Sequence, residues 1–309
     1  MSVDREPLVE VVLSSYDGAA WLDAQISSII GQTHGTLRLS VRDDGSRDGT
    51  PDVLAAWAAR EPRFSFRLGS RNLGPSGSFF RLLDGVGAEA AFAAFADQDD
   101  VWEANKIARA VAALSALPEG VPGLYCARVV IVDEDLQRRG LSPLPGRGPS
   151  LANALIENIA IGCTSVLNRA ALDLLRAEWP AQPAKHDWWA YQVISALGQV
   201  IYDPRPALKY RQHGGNMTGA GYTPLDRFLG KVGRQLNGEQ SALRRHQARE
   251  LLRLFGSRLS VRDRALVEDF LDSTHGLTDR LRYAVCGGVH RQHWLDNLAY
   301  RLLYVIRGV

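Results

Sequence analysis

The sequence is poor in cysteine. Cys126, Cys163 and Cys286 are three in 309 residues, odd in number, far apart and free of any CxxC spacing. That excludes a disulfide framework and a structural zinc site, and all three are read as small buried hydrophobes. No run of about 18 apolar residues occurs, and Met1 to Glu10 lacks the basic-then-apolar layout of a signal peptide. The expectation is a cytoplasmic chain that does not span a membrane. Internal repeats and low-complexity tracts are absent, and no basic stripe interleaved with aromatics is present, so nucleic acid is not an expected partner. A net charge of +2 says little about partners by itself.

What is there belongs to an ordinary globular protein: 46% hydrophobic and 23% charged residues, enough to build a packed core. The length suits one large domain plus an appendage. Residues 1–224 carry 21 basic against 25 acidic side chains, whereas 225–309 carry 15 against 9. The basic excess lies in the tail, and a boundary is placed near 222, giving a domain over 1–222 and a helical region over 223–309.

Leu8 to Ser14 is short, β-branched and apolar, the pattern of a strand buried on both faces in a parallel sheet. Trp21 to Gly31 puts Leu22, Ile26, Ile29 and Ile30 on one helical face. Leu37 to Val41 reads as a second strand, Thr50-Pro51 as an N-cap with proline at the first helical position, and Phe64 to Leu68 as a third strand. A short helix around Phe79 to Leu83 precedes the apolar run Ala90 to Ala96. Further strands are read at Leu124 to Val132, Ile159 to Leu167 and Ala207 to Arg211, with a helix opening at His186. Alternation of this kind predicts an α/β fold, a mostly parallel sheet flanked by helices, with ligands beyond the carboxyl ends of the strands. The polar clusters at 14–17, 43–46 and 97–100 all fall at such ends.

Chemistry concentrates at Asp97-Gln98-Asp99-Asp100. Three carboxylates after an apolar strand repel one another unless a cation holds them, and hard oxygen donors favour magnesium or manganese. Taken alone, such a turn also fits a solvated acidic loop. Its company is SSYDGAAWLDAQISSIIGQTH (14–34), VRDDGSRDGT (41–50), NLGPSGSF (72–79) and ADQDDVWEANK (96–106), in that order. Together these resemble the family 2 glycosyltransferases, which have the GT-A (Rossmann-like) fold; the likeness covers about residues 7–220. The pairing of DQDDVW with DDGS is most similar to the rhamnosyltransferase-type members that build bacterial surface polysaccharides.

The resemblance implies a site residue by residue. Ser14 and Tyr16 would line the nucleotide pocket, with Tyr16 near the base; a core aromatic is the other reading of Tyr16. Asp17 stands where the family usually has Asn. Asp44 matches the position that accepts the pyrimidine ring N–H, while Asp43 could instead brace the loop. Asn72 and Ser78 would lie near the diphosphate, although such a loop also serves simply to turn the chain. Asp97, with Gln98 beside it, would sit near the ribose or a metal-bound water, and Asp99 on a divalent cation, Mn2+ or Mg2+, that bridges the diphosphate. Asp100 would orient its neighbours. His213, in Tyr210-Arg211-Gln212-His213-Gly214-Gly215-Asn216, matches a metal-ligand position, with a loop cap as its alternative. Asp187, in Lys185-His186-Asp187-Trp188-Trp189, matches the family's general base. It also suits a helix N-cap, and the two tryptophans are read as an aromatic surface for a sugar or, alternatively, as core.

The implied activity is inverting transfer of a sugar from a nucleoside-diphosphate donor, dTDP- or UDP-linked, to a hydroxyl of a glycan or lipid-linked acceptor. A sugar-nucleotide-forming nucleotidyltransferase would open with a GxGxR loop, which SSYDG is not. A catalytically silent sugar-nucleotide or glycan-binding subunit is the rival from another class. In the tail, Arg227, Lys231, Arg234, Arg244, Arg245, Arg249 and Arg253 with Leu225, Phe228, Leu229 and Val232 suggest either a basic amphipathic helix on an anionic membrane or a helix packed on a neighbour. Tyr300 to Val309 is a second candidate for a membrane or oligomer contact.

Overall fold

A computed structural model describes residues 6–180, 185–213, 238–272 and 276–307. The first half alternates as expected: β1 (Val9–Ser15), α1 (Ala19–Ile30), β2 (Leu37–Asp43), α2 (Thr50–Arg60), β3 (Phe64–Leu68), α3 (Gly74–Asp84) and β4 (Phe92–Ala96). After it come β5 (Val101–Trp102), α4 (Lys106–Ser115), β6 (Gly123–Val132), β7 (Arg138–Leu141), α5 (Leu151–Ala154), β8 (Val166–Asn168), α6 (Arg169–Ala177), α7 (His186–Leu197) and β9 (Gln199–Arg211). Four tail helices follow: α8 (Gly238–Phe255), α9 (Val261–Asp272), α10 (Leu277–Cys286) and α11 (Trp294–Arg307).

The strands form one sheet in the order β3-β2-β1-β4-β8-β6-β9-β5, with β7 paired to β6. β3, β2, β1 and β4 pair in parallel, as do β6 and β9, while β8, β5 and β7 pair antiparallel to their neighbours. Central β1 shows why its sequence is a continuous apolar run: Val9, Val11, Val12 and Leu13 are all fully buried, because helices cover both faces. One core on one side of the sheet joins α1, α2 and α4; the other joins α3, α6, α7 and the tail helices. Ala248, Leu251, Phe255, Val267, Phe270, Tyr283, Tyr300 and Tyr304 belong to that second core together with Trp189 and Ile194. The helical region is therefore packed into the α/β layer; the boundary near 222 lies outside the described residues.

Several local expectations are corrected. Ile159 to Leu167 is not one strand: Gly162–Thr164 is a 3-10 turn and pairing begins only at Val166. The hydroxyls of Thr164 and Ser165 both donate to Ile161 O, at 2.8 and 3.1 Å, and this local bonding displaces the sheet ladder. Gly49 rather than Thr50 caps α2, because the Thr50 hydroxyl instead accepts from Gly18 N at 2.9 Å. β9 begins eight residues before Ala207. Its prolines 204 and 206 are tolerated because the register with β6 shifts at Ala127 and Arg128. Cys286 is exposed, unlike Cys126 and Cys163, and is the last residue of α10.

Candidate active site

The carboxyl ends of β1, β2 and β4 are tied together by side chains. Gln98 uses both ends of its amide on one backbone unit, accepting from Tyr16 N at 2.7 Å and donating to Tyr16 O at 3.0 Å. Asp43 is shut in and accepts from Gly45 N, Ser46 N and the Ser15 and Ser46 hydroxyls, so it braces the loop. Asp48 accepts from Ala19 N and Thr50 N and so joins the starts of α1 and α2. Asp17 adopts a left-handed φ of 47° and accepts from Arg47 N at 2.7 Å. Such a conformation suits Asp better than most side chains.

Asp44 is buried, and its carboxylate takes three donors: Leu73 N, Gly74 N and the Arg42 guanidinium, at 2.8 to 3.0 Å. It fixes the start of α3 beside the β2 loop. Asn72 accepts from Gly74 N at 2.8 Å in the same turn. Ser78 is fully buried with its hydroxyl on Arg42 Nε, so it does not reach the cleft surface.

These loops enclose a cleft of about 400 Å³ lined by Ser14, Tyr16, Asp44, Asn72, Asp97, Gln98, Asp99, Asp187 and His213. Of the residues picked out from sequence, Asp17, Asp43, Ser78 and Asp100 stand outside this lining, Asp17 turned toward Arg47 and the other three buried beneath the loops. Tyr16 is 44% exposed at the rim, which removes its reading as a core aromatic and leaves its ring open to a planar ligand. A larger hollow of about 560 Å³ lies elsewhere, between β3 and α3, and holds none of the acidic motif.

The acidic turn is electrostatically crowded. Burial, together with the carboxylates of Asp99 and Asp187, pushes Asp97 up to about 7. Asp100 is raised well above the carboxylate range by burial first and then by Asp99 and Asp97. Lys106, fully buried under the turn, is pulled well below its ordinary value by burial; its ammonium sits 2.9 Å from the centroid of the Trp102 ring. Asp100 Oδ2 is buried without a hydrogen-bond partner. Asp99 Oδ2 and His213 Nε2 meet at 2.9 Å. Crowded carboxylates with an imidazole are a donor set for a hard divalent cation, and Asp97, Asp99 and His213 are the members facing the cleft. Cys163 lies within 4.8 Å of Asp97 and Asp100. Burial drives its thiol pKa upward, and soft sulfur is a poor match for a hard cation.

Asp187 stands in the first turn of α7, with Lys185 as the N-cap residue. Its Oδ2 accepts from Asn158 Nδ2 at 2.9 Å and its Oδ1 from Trp188 N at 2.7 Å. Trp188 and Trp189 are not a sugar platform. They are 5% and 0% exposed, and Trp188 Nε1 donates to Ala154 O at 2.6 Å. Their helical spacing after Asp187 turns both inward once α7 packs on α5.

Other contributors carried no motif signal strong enough to be chosen. Trp21 stacks on His213 with ring centroids 5.3 Å apart and also lies under the Arg211 guanidinium, 4.5 Å from the ring centroid. Arg211 donates through Nε to Asp99 O at 2.9 Å. His186 stacks on Phe79 at 4.0 Å and lines the cleft. Gly162 passes so close beneath α7 that a Cβ there would lie 3.0 Å from His186 Nε2. Arg211 and His186 lie inside quoted segments without having been given a role, whereas Gly162 falls in the stretch read as strand and Asn158 just before it.

Similarity to known proteins runs in the same direction. Over 218 residues the chain is 26% identical to the dTDP-rhamnosyl transferase RfbG of Shigella flexneri, covering 67% of this chain and 74% of that one. It is 28% identical over 167 residues to the Escherichia coli enzyme WfgD, a UDP-Glc:alpha-D-GlcNAc-diphosphoundecaprenol beta-1,3-glucosyltransferase, covering 54% of this chain and 62% of that one. Among solved structures, S. aureus TarS 1-349 in complex with UDP-GlcNAc superposes with a TM-score of 0.57 at 13% identity, covering 97% of this chain and 92% of that one. The mannosyltransferase PcManGT of Pyrobaculum calidifontis, in complex with GDP-Man and Mn2+, gives 0.53 at 16% identity, covering 98% and 87%. These structural likenesses carry the GT-A fold. The model of glycosyl transferase family 2 matches residues 10–175, more than half of the chain and the whole span from β1 through the acidic turn to α6, and the chain belongs to that family.

Proposed function

We propose that the protein is an inverting glycosyltransferase of bacterial glycan synthesis, taking a pyrimidine nucleoside-diphosphate sugar as donor and a hydroxyl of a surface-glycan or lipid-linked saccharide as acceptor. The observation that supports this most is the single cleft in which Asp99 and His213 converge to 2.9 Å while Asp187 presents its carboxylate to the same space. Asp187 takes the acceptor proton as that oxygen attacks the anomeric carbon; the hydrogen bonds from Asn158 and Trp188 hold its oxygens in position while leaving lone pairs free. Asp99 and His213, with Asp97 beside them, would hold a divalent cation, which would supply the positive charge that the departing diphosphate needs. Tyr16 packs near the base, and Asp44 offers its remaining acceptor capacity to the pyrimidine ring N–H while bracing Leu73 and Gly74. Asn72 and Ser14 line the diphosphate side.

The name of RfbG supports a dTDP-rhamnose donor, and that of WfgD a UDP-linked one. Titration calorimetry of dTDP and UDP, with and without manganese, on the wild type and Asp99→Ala tests the donor site. Metal-dependent binding that disappears in Asp99→Ala is the expected result; equal binding in the variant overturns the metal assignment. Nucleotide binding without donor turnover on any glycan acceptor would shift the reading to a silent binding subunit.

A further inference from the structure

Of the basic stretch that suggested a surface helix, residues 225–237 lie outside the described residues, and α8 is largely inward. Arg244 is buried, with burial lowering it to about 10, and packs over the Tyr300 ring; Arg245 donates to Leu271 O at 3.3 Å. The exposed apolar surface falls instead on the last two helices. On α11, Asp296, Tyr300 and Tyr304 face the core, while Trp294, Leu298, Leu302 and Ile306 recur on the outer side. On α10, Tyr283 faces inward and Leu277, Leu281 and Val285 face out. Val285, Trp294 and Ile306 are 77%, 67% and 71% exposed. Side chains of this size at spacings of four make continuous stripes, and the two helices pack against each other as a pair.

We propose that this two-helix face docks on a lipid surface bearing anionic headgroups. Its border is basic: Arg282 is exposed beside Leu281, and Arg301 reaches over the last carbonyls of α10, those of Ala284 and Gly287 among them, next to Val285. The two carboxylates of this stretch are elsewhere, Asp296 buried and Asp279 about 160° round α10 from the stripe centre. An arginine border with an apolar stripe and a tryptophan at its end is complementary to an anionic interface. It is poorly suited to a second copy of itself. A two-fold contact through this face would gather the Arg282 and Arg301 side chains of both copies with no acidic partner on the face. Tyr300 and Tyr304 on the opposite side of α11 are buried against the core, so the helix would lie along the surface. Among the described residues no helix is long and apolar enough to cross.

Flotation of the full chain with phosphatidylcholine vesicles, with and without phosphatidylglycerol, tests the proposal. Binding at least about tenfold stronger to the anionic vesicles is expected, falling at least about tenfold in Leu298→Gln/Leu302→Gln/Ile306→Gln and weakening in Arg282→Glu. Because these positions are exposed, the variants should keep the wild-type circular dichroism and nucleotide affinity, which separates the surface from the donor cleft. Val285→Cys in a Cys286→Ser background, which leaves only buried thiols besides the stripe position, gives a second readout: an environment-sensitive fluorophore there should shift only when anionic vesicles are added. Wild-type protein that ignores anionic vesicles, or a triple variant that binds them as well, overturns the proposal. A fluorophore shift that follows protein concentration without lipid, with a dimer in light scattering, overturns it in favour of a second copy.

Discussion

Asn158 holds Asp187: its Nδ2 donates to Oδ2 over 2.9 Å, from a loop that passes beneath the start of α7. The partner oxygen accepts Trp188 N. The carboxylate that faces the cleft is therefore aimed by two donors from different parts of the chain. Asn158 touches no substrate in this arrangement and acts by positioning.

Replacing Asp187 by Asn should lower kcat by about 10² to 10⁴ with nucleotide affinity unchanged, since a general base contributes about that much. Asn158→Ala should cost about tenfold in kcat, the worth of one hydrogen bond to a charged group. The loss should fall on kcat and leave the donor KM nearly unchanged, because only the aim of the Asp187 carboxylate is lost. Steady-state kinetics on both variants checks this; an Asn158→Ala enzyme that changes only in stability would leave Asn158 a merely structural residue.

Asp99→Ala and His213→Ala should each reduce manganese-dependent dTDP or UDP binding by more than about tenfold and leave metal-free binding nearly unchanged. A charged ligand contributes on the order of 1.4 kcal/mol or more per lost contact. Calorimetry with and without chelator distinguishes this from general misfolding, which would weaken both.

Gly18→Ala should disturb the cleft from a distance. A Cβ at Gly18 would lie 2.3 Å from Gln98 Oε1, so the amide must leave the Tyr16 backbone. Two hydrogen bonds at about 1 kcal/mol each set the scale of the stability loss. In a Gln98→Ala background the same change should cost much less, and that non-additivity in urea unfolding is the signature of the clash.

Acid should destabilise the protein through His186. Its Nε2 is shut away from solvent without a partner, and burial holds the imidazole down at about 4 against an ordinary 6.5. Between those values the unfolded chain binds the proton and the folded chain does not. The His186 contribution is thus fully favourable above pH 6.5 and is lost as pH falls toward 4, by up to about 3 kcal/mol. Urea midpoints measured over that range should fall less steeply in His186→Phe, which keeps a ring against Phe79 and cannot titrate.

The strand ends and the cleft were legible in the chain to different degrees. Phe64–Leu68 and the helix opening at His186 occupy their expected positions: Phe64 and Phe66 keep the alternation of an edge strand, and α7 is apolar enough to bury every residue from Trp188 to Ile194. Ile159 to Leu167 misleads, since an apolar run looks alike whether it pairs as a strand or turns around Gly162 under another helix. Trp188 and Trp189 mislead in the opposite sense: aromatic residues beside a carboxylate resemble a binding surface until α5 is known to cover them.

By itself the sequence determined the alternating α/β layering and the residues that crowd the carboxyl ends of β1, β2 and β4, because hydrophobic period and strand-terminal polar loops are local properties. The tertiary structure decided what each of those residues faces. Asp44 and Asp43 are adjacent in the chain, yet one fixes α3 and the other the DDGS turn. Asn158 meets Asp187 across 29 positions and His213 meets Asp99 across 114. It also decided that α8 is inward and the last helix pair apolar on its outer side. Both outcomes depend on which faces neighbouring elements cover, and a helical period does not say which stripe will be covered.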